Sequence, residues 1–285
     1  MIPKIIHYCW FGRGPLPPLV KWCMKSWKKK LPDYTIKLWN EDNFDVNSIP
    51  FVKEAYEARK FAYVADYVRL YALYHEGGIY LDSDERVLRP LDEFLKYNFV
   101  VAHEFHPGLF KPDREKINAD GTSKVPGTFI EGLGISGVLI LSCPQHPYIK
   151  DCMEFYHTHH FVNQKGEALH NQLIIGWILS TTAEKYGYRY TTYELDLGNG
   201  FIVKDKYTFV SNSLFLNNNS FVIHLGMGSW HDKSQESFKR KLYAKYPQLG
   251  YGDMLLRNKL RKIKWLFISK SEKKDRMGDW FAPLL

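Results

Sequence analysis

Apolar positions along the chain follow two alternating periods. Residues 2–10, IPKIIHYCW, form a short apolar run closed by the breaker-rich FGRGPLPP and predict a strand. Residues 19–30 predict a helix and 34–39, YTIKLW, a second strand; helices over 51–59 and 61–76 follow. Ile79, Tyr80 and Leu81 read as a short buried strand bounded by Gly77 and Gly78. Residues 98–104, NFVVAHE, and 134–141, GISGVLIL, are further strands. Helices are predicted at 146–161 and 167–184, then short strands over 188–223. Strands alternating with helices predict an α/β fold in which helices pack on a mostly parallel sheet. Residues 105–128 are polar, charged and turn-rich. A connection of that length suits a lid or a binding loop.

The chemistry concentrates around residue 80. Asp82, Asp84 and Glu85 follow the predicted strand directly. Ligands of open α/β sheets bind outside the carboxyl ends of strands, so this acidic turn stands where a site belongs. Like charges so close call for a positive partner. The preceding helix, FAYVADYVRLYALYHE, is apolar almost all round and therefore buried, yet Asp66 and Arg69 interrupt its middle. At i, i+3 they either pair with each other or project into a polar cleft, where Asp66 accepts hydroxyl hydrogens and Arg69 donates. Further along, FVIHLGMGSW ends a strand in His224, and Gly226 and Gly228 would let backbone amides approach a phosphate.

Three ordered motifs now carry a resemblance. "ADYVRLYALYHEGGIYLDSD", residues 65–84, resembles glycosyltransferase family 32, the sugar-binding region containing a DXD motif. It is similar, more distantly, to the catalytic domains of the large glucosylating bacterial toxins. The opening IPKIIHYCWFG resembles the first strand of the family, and HLGMGSW, residues 224–230, its C-terminal metal and phosphate loop.

The resemblance implies a GT-A-like fold and transfer of a hexose from a nucleotide sugar, with retained configuration by front-face attack. It implies Asp84 as direct ligand of Mn2+ or Mg2+ and Asp82 as contact to ribose and sugar. Asp66 and Arg69 match the positions that grip the donor hexose. Trp10 matches an aromatic near base and ribose, with Tyr8 beside it. His224 is a further metal ligand, although the toxins use a carboxylate and a serine near this place, and Ser229 and Trp230 meet the leaving phosphate. The expected donor is a UDP-hexose of galactose or glucose type, with GDP-mannose the alternative. The expected acceptor is a saccharide or lipid-linked saccharide for bacterial surface or capsular polysaccharide. EGLGISG, residues 131–137, borders the acceptor site, with Glu131 a candidate base, and His170, Asn171 and Gln172 either face the cleft or cap a helix. His157, His159 and His160 lack metal spacing and belong to the surface. The rival readings are a metal-dependent sugar-nucleotide hydrolase and a non-enzymatic basic binding protein.

Charge and cysteine content refine the picture. The chain has 285 residues and net charge +8, but residues 239–276 hold 13 Lys or Arg against Asp253, Glu272 and Asp275. That segment carries 13 − 3 = +10 and leaves the rest near −2. Two parts are expected: a catalytic domain over 1–235 and a basic helical extension over 236–285. Within the extension, LLRNKLRKIKWLF, residues 255–267, spaces Leu256, Leu260, Ile263 and Phe267 on one helical face among basic residues. Such a helix suits an anionic membrane surface. No nucleic-acid motif accompanies the charge. No apolar run approaches the roughly 20 residues of a membrane span, and no signal peptide is expected at the start. Cys9, Cys23, Cys143 and Cys152 form no CxxC and fit free thiols in a reduced setting. The expected location is cytoplasmic, peripheral on the inner face of the membrane.

Overall fold

The computed structural model describes residues 1–163, 165, 167, 174–226 and 237–266. They belong to two compact units, Met1–Glu236 and Ser237–Leu285. In the first, β1 (Ile5–Cys9) leads to α1 (Pro18–Lys30), which opens on proline and closes on Lys28, Lys29 and Lys30. Both ends suit a helix. Proline lacks an N–H where none is needed, and cations offset the negative end of the helix dipole. β2 (Thr35–Trp39), α2 (Pro50–Glu57), α3 (Phe61–Glu76), β3 (Gly78–Leu81), β4 (Glu85–Val87) and β5 (Phe99–Phe105) follow. After them come α4 (Pro107–Asp113), β6 (Leu133–Ile135), β7 (Leu139–Ser142), α5 (Pro147–Thr158) and α6 (Ile175–Glu184). The unit closes with β8 (Leu195–Asp196), β9 (Phe201–Lys204), β10 (Phe209–Val210) and β11 (Val222–His224).

The main sheet has eight strands in the order β2-β1-β3-β7-β5-β9-β8, with β6 paired to β5. β1 is parallel to β2 and β3, β7 lies antiparallel between β3 and β5, and β9 is parallel to β5. Hence β2, β1, β3, β5 and β9 all run one way, and the mostly parallel α/β sheet expected from the sequence is present. A second sheet, β10-β11-β4, is smaller. Strand alternation separates two layers. Ile6, Tyr8, Ile79, Leu81, Val100 and Ala102 pack with Trp27 of α1 and with Phe209 and Val222 of the small sheet. Tyr80 and Asp82 turn the other way, toward Arg69 of α3.

The junction of α3 and β3 sets where the acids fall. Gly77 and Gly78 have φ of +64° and +107°. A Cβ on Gly78 would lie 2.6 Å from the Ile5 carbonyl oxygen, so only glycine lets β3 start this close to β1. Counted from Gly77, Asp66 lies 11 residues back along the helix and Asp82 five forward along the strand. At about 1.5 and 3.3 Å per residue both distances are roughly 16 Å. The two carboxylates therefore reach the same edge of the sheet.

Several expectations need correction. The stretch 105–128 is not loop throughout, because it holds α4. The strand over 134–141 is two, β6 and β7, broken at residues 136–138. The helix over 146–161 ends at Thr158, and that over 167–184 is described from Ile175 onward. β4 was not anticipated. It has three residues, two of them charged, and no apolar run announces it. All four cysteines are free thiols.

The second unit contains α7 (Phe238–Lys245) and α8 (Pro247–Leu266). The helix predicted over 255–267 falls within α8, and Phe267 lies outside the described residues. Among the described residues, no helix is long and apolar enough to cross a membrane.

Candidate active site

Asp66, Arg69 and Asp82 form one cluster, buried at Asp66 and Arg69 and partly open at Asp82. Asp66 and Arg69 are 7% and 4% exposed. A guanidinium nitrogen of Arg69 donates to Asp66 Oδ1 at 2.6 Å and lies 3.5 Å from Asp82 Oδ1. A second donates to the Gly137 carbonyl at 2.6 Å, and Nε donates to the Ala65 carbonyl at 3.2 Å. Tyr80 donates its hydroxyl to Asp82 Oδ1 at 2.7 Å, and its ring faces the Arg69 guanidinium at 4.6 Å. The internal pair and the polar cluster are thus both present: Arg69 holds Asp66 and ties it to Asp82. Burial pushes Asp66 up to about 7, with the Asp82 charge adding and Arg69 opposing.

Asp84 meets His224 through the small sheet. β11 pairs antiparallel with β4, which sets His224 opposite Glu85. Residues so opposed place their side chains within reach of each other. His224 Nδ1 lies 2.6 Å from Glu85 Oε1 and 3.6 Å from Asp84 Oδ1. Burial works against a charged imidazole, but Asp84, Glu85 and Asp82 outweigh it and hold His224 up at about 10. Thus the acidic turn has its positive partners, Arg69 on one side and His224 on the other. Four carboxylates (Asp66, Asp82, Asp84, Glu85) face these two cations, so the fully ionised cluster carries 2 − 4 = −2.

Ligand atoms of Asp82, Asp84 and His224 all lie within 4.8 Å of one another. Two carboxylates and an imidazole suit a hard divalent cation such as Mn2+ or Mg2+. As a metal ligand His224 must give up its proton, which leaves the four carboxylates facing Arg69 alone, 1 − 4 = −3; a divalent cation offsets most of that charge, so the donor set fits the metal.

The other expected residues scatter. By the register of β1 with β3, Trp10 stands level with the acidic turn; it is half-buried and donates Nε1–H to the Gly14 carbonyl at 2.7 Å. Tyr8 belongs to the apolar core, edge-on to Trp27, because its position in β1 points it away from α3. Gly137 of EGLGISG borders the Arg69 cluster through its carbonyl, while Glu131 is exposed with its amide bound to Asp113. His157, His159 and His160 are exposed, and their partners are Tyr67, Phe155 and Glu54. Ser229, Trp230, His170, Asn171 and Gln172 lie outside the described residues. Sequence reasoning missed two residues. Tyr80 is readable from period-two spacing to Asp82, but nothing in the sequence pairs Glu85 with a histidine 139 positions away.

The chain is also similar to known proteins. Residues 17–100 match the family model described as "Glycosyltransferase sugar-binding region containing DXD motif". It is 28% identical over 154 residues to "Inositol phosphoceramide mannosyltransferase 2" of Schizosaccharomyces pombe, covering 53% of this chain and 37% of the relative. It is 36% identical over 107 residues to "Mannosyl phosphorylinositol ceramide synthase CSH1" of Saccharomyces cerevisiae, covering 34% and 26%. The chain thus spans roughly a third of the length of such relatives. Among solved structures, "PaToxG Glycosyltransferase" aligns with TM-score 0.45 and 15% identity over 65% of this chain and 69% of that one.

Proposed function

We propose that this chain is a metal-dependent glycosyltransferase that moves a hexose, mannose by preference, from a nucleoside-diphosphate sugar to a hydroxyl of a lipid-borne acceptor. The observation that carries this reading is the meeting of Asp66, Arg69 and Asp82 with the Asp82, Asp84 and His224 ligand set at one sheet edge. A divalent cation, when bound there, supplies the positive charge that a departing diphosphate needs. Asp84 and His224 hold the ion, and Asp82 sits between it and the sugar. Asp66 accepts hydrogens from sugar hydroxyls. Arg69, fixed by the Gly137 carbonyl, holds Asp66 and Asp82 at their spacing.

The names of these relatives favour mannose, hence GDP-mannose over the UDP-hexose first expected. They likewise point to a phosphoinositol-bearing lipid as acceptor, in place of bacterial capsule.

Thermal melting with GDP-mannose, UDP-glucose and UDP-galactose, each with and without manganese, tests the reading. GDP-mannose with manganese should stabilise most, by about 2.7 kcal/mol at a concentration of a hundred times Kd. Asp84→Asn should lose this stabilisation while keeping its fold. No response to any nucleotide sugar would overturn the proposal. Release of free mannose indifferent to any acceptor would establish the hydrolase instead.

A further inference from the structure

The second unit has an amphipathic face that the transfer reaction does not use. α8 spans 20 residues, about 30 Å. At about 100° per residue, Leu249, Leu256, Leu260 and Ile263 fall within roughly 60° of arc. All four are exposed, at 54%, 57%, 55% and 45%. The packed face lies opposite. Asn258, half a turn round from the stripe, is 8% exposed. Gly250 approaches α7 so closely that an added Cβ would stand 3.0 Å from Tyr243 Cβ. The leucines are thus not turned outward by a frayed helix; the opposite side is already packed.

Charge surrounds the stripe. Arg257 and Lys259 fall on its two flanks, and Arg261 lies beyond Arg257; all three are exposed. Asp253, the one acid of α8, is taken up by Arg257 at 2.6 Å and Lys239 at 3.2 Å. An exposed apolar ridge between rows of cations matches the boundary of an anionic bilayer, where acyl chains receive the leucines and headgroups meet the cations. A nucleic acid would use the cations but leave the ridge in water.

We propose that α8 docks this chain on anionic lipid bilayers, lying in the interface plane with Leu249, Leu256, Leu260 and Ile263 inserted. This goes beyond the proposed transfer reaction and does not depend on it. Docking would raise the local concentration of any lipid-borne acceptor.

The test is co-sedimentation of the full chain with vesicles of phosphatidylcholine alone and with about one third phosphatidylserine. Wild type should pellet only with the anionic vesicles, and less as salt rises. Arg257→Glu, Lys259→Glu and Arg261→Glu together should lower the partition coefficient about a hundredfold, roughly 2.8 kcal/mol at about 1.4 kcal/mol per tenfold. Leu256→Glu with Leu260→Glu should abolish pelleting. Both variants change exposed residues, and unaltered melting and unaltered manganese binding confirm that the first unit is intact. No pelleting of wild type, or equal pelleting by all three proteins, overturns the proposal. So does a wild-type dimer that becomes monomeric in the leucine variant, which would assign the ridge to a second copy of the chain. Failure of every nucleotide sugar to bind would sink the transferase reading and leave the vesicle result standing.

Discussion

Glu85→Gln isolates what the small sheet contributes to the metal. Glu85 is 1% exposed and takes His224 Nδ1 at 2.6 Å. With Nδ1 engaged, Nε2 is the nitrogen left for an ion, and the carboxylate fixes the ring plane. Glutamine fills the same volume and can still accept the hydrogen. It replaces a charge-assisted bond, about twice as strong, by a neutral one. Loss of such an outer partner costs about 10–100-fold in metal affinity, or roughly 1.4–2.8 kcal/mol. Calorimetric titration of manganese into the two proteins measures this directly. The fold should hold, because the substitution strands no buried charge. On a His224→Ala background, Glu85→Gln should add nothing, since its effect is transmitted through that ring. Equal manganese affinity in folded wild type and Glu85→Gln would refute the reasoning. An undiminished effect on the His224→Ala background would show that Glu85 acts by charge alone.

Three further outcomes follow from the geometry. Asp66→Ala strands Arg69 with the more distant Asp82 and two carbonyls, so stability should fall by about 3 kcal/mol, and sugar transfer should suffer far more than nucleotide binding; intact kinetics would remove Asp66 from the site. Gly78→Ala must place a methyl 2.6 Å from a backbone oxygen at φ +107°, so denaturant melting should show several kcal/mol of loss, and a loss under 1 kcal/mol would mean that β1 and β3 can separate. Burial lowers His103 from about 6.5 to about 3, so its contribution is complete above pH 6.5 and is lost on acidification toward 3, by up to roughly 1.4 kcal/mol per pH unit. Asp66, raised by burial, contributes with the opposite sign, so the measurement is the difference between wild type and His103→Gln from pH 7 to 5, and parallel curves would contradict it.

The sequence made the sheet legible where burial leaves a long apolar run. IPKIIHYCW, NFVVAHE and the helix over 61–76 appear as predicted because apolar residues dominate each of them, and the two glycines after that helix marked the turn. Asp66, Arg69, Asp82 and Asp84 were legible for the opposite reason: charge in an apolar setting requires a partner. What escaped was set by long-range pairing. β4 is too short and too charged to announce itself, and Glu85 finds its purpose only when β11 folds beside it. Tyr8 and Trp10, two positions apart, pack against one apolar cluster, but Tyr8 is buried in it while Trp10 stays partly exposed at its edge, a difference in depth that spacing alone does not reveal. The break at 136–138 inside GISGVLIL was hidden by an apolar composition that looks continuous.

That break has a consequence for how the site tolerates change. A carbonyl in a regular strand is committed to its neighbour, whereas at Gly137 the interruption gives the oxygen to Arg69 at 2.6 Å. The anchor of the buried guanidinium is thus main chain, and no substitution can delete it. Sequence drift can act there only through space: a Cβ at 137 would meet Ile175 at 2.7 Å and the guanidinium at 3.4 Å. Any such crowding reaches Asp66 and Asp82 together, since one arginine holds both. The position is therefore a single point from which the grip on the sugar can be loosened without touching an acid, and a graded series of small residues at 137 would tune it.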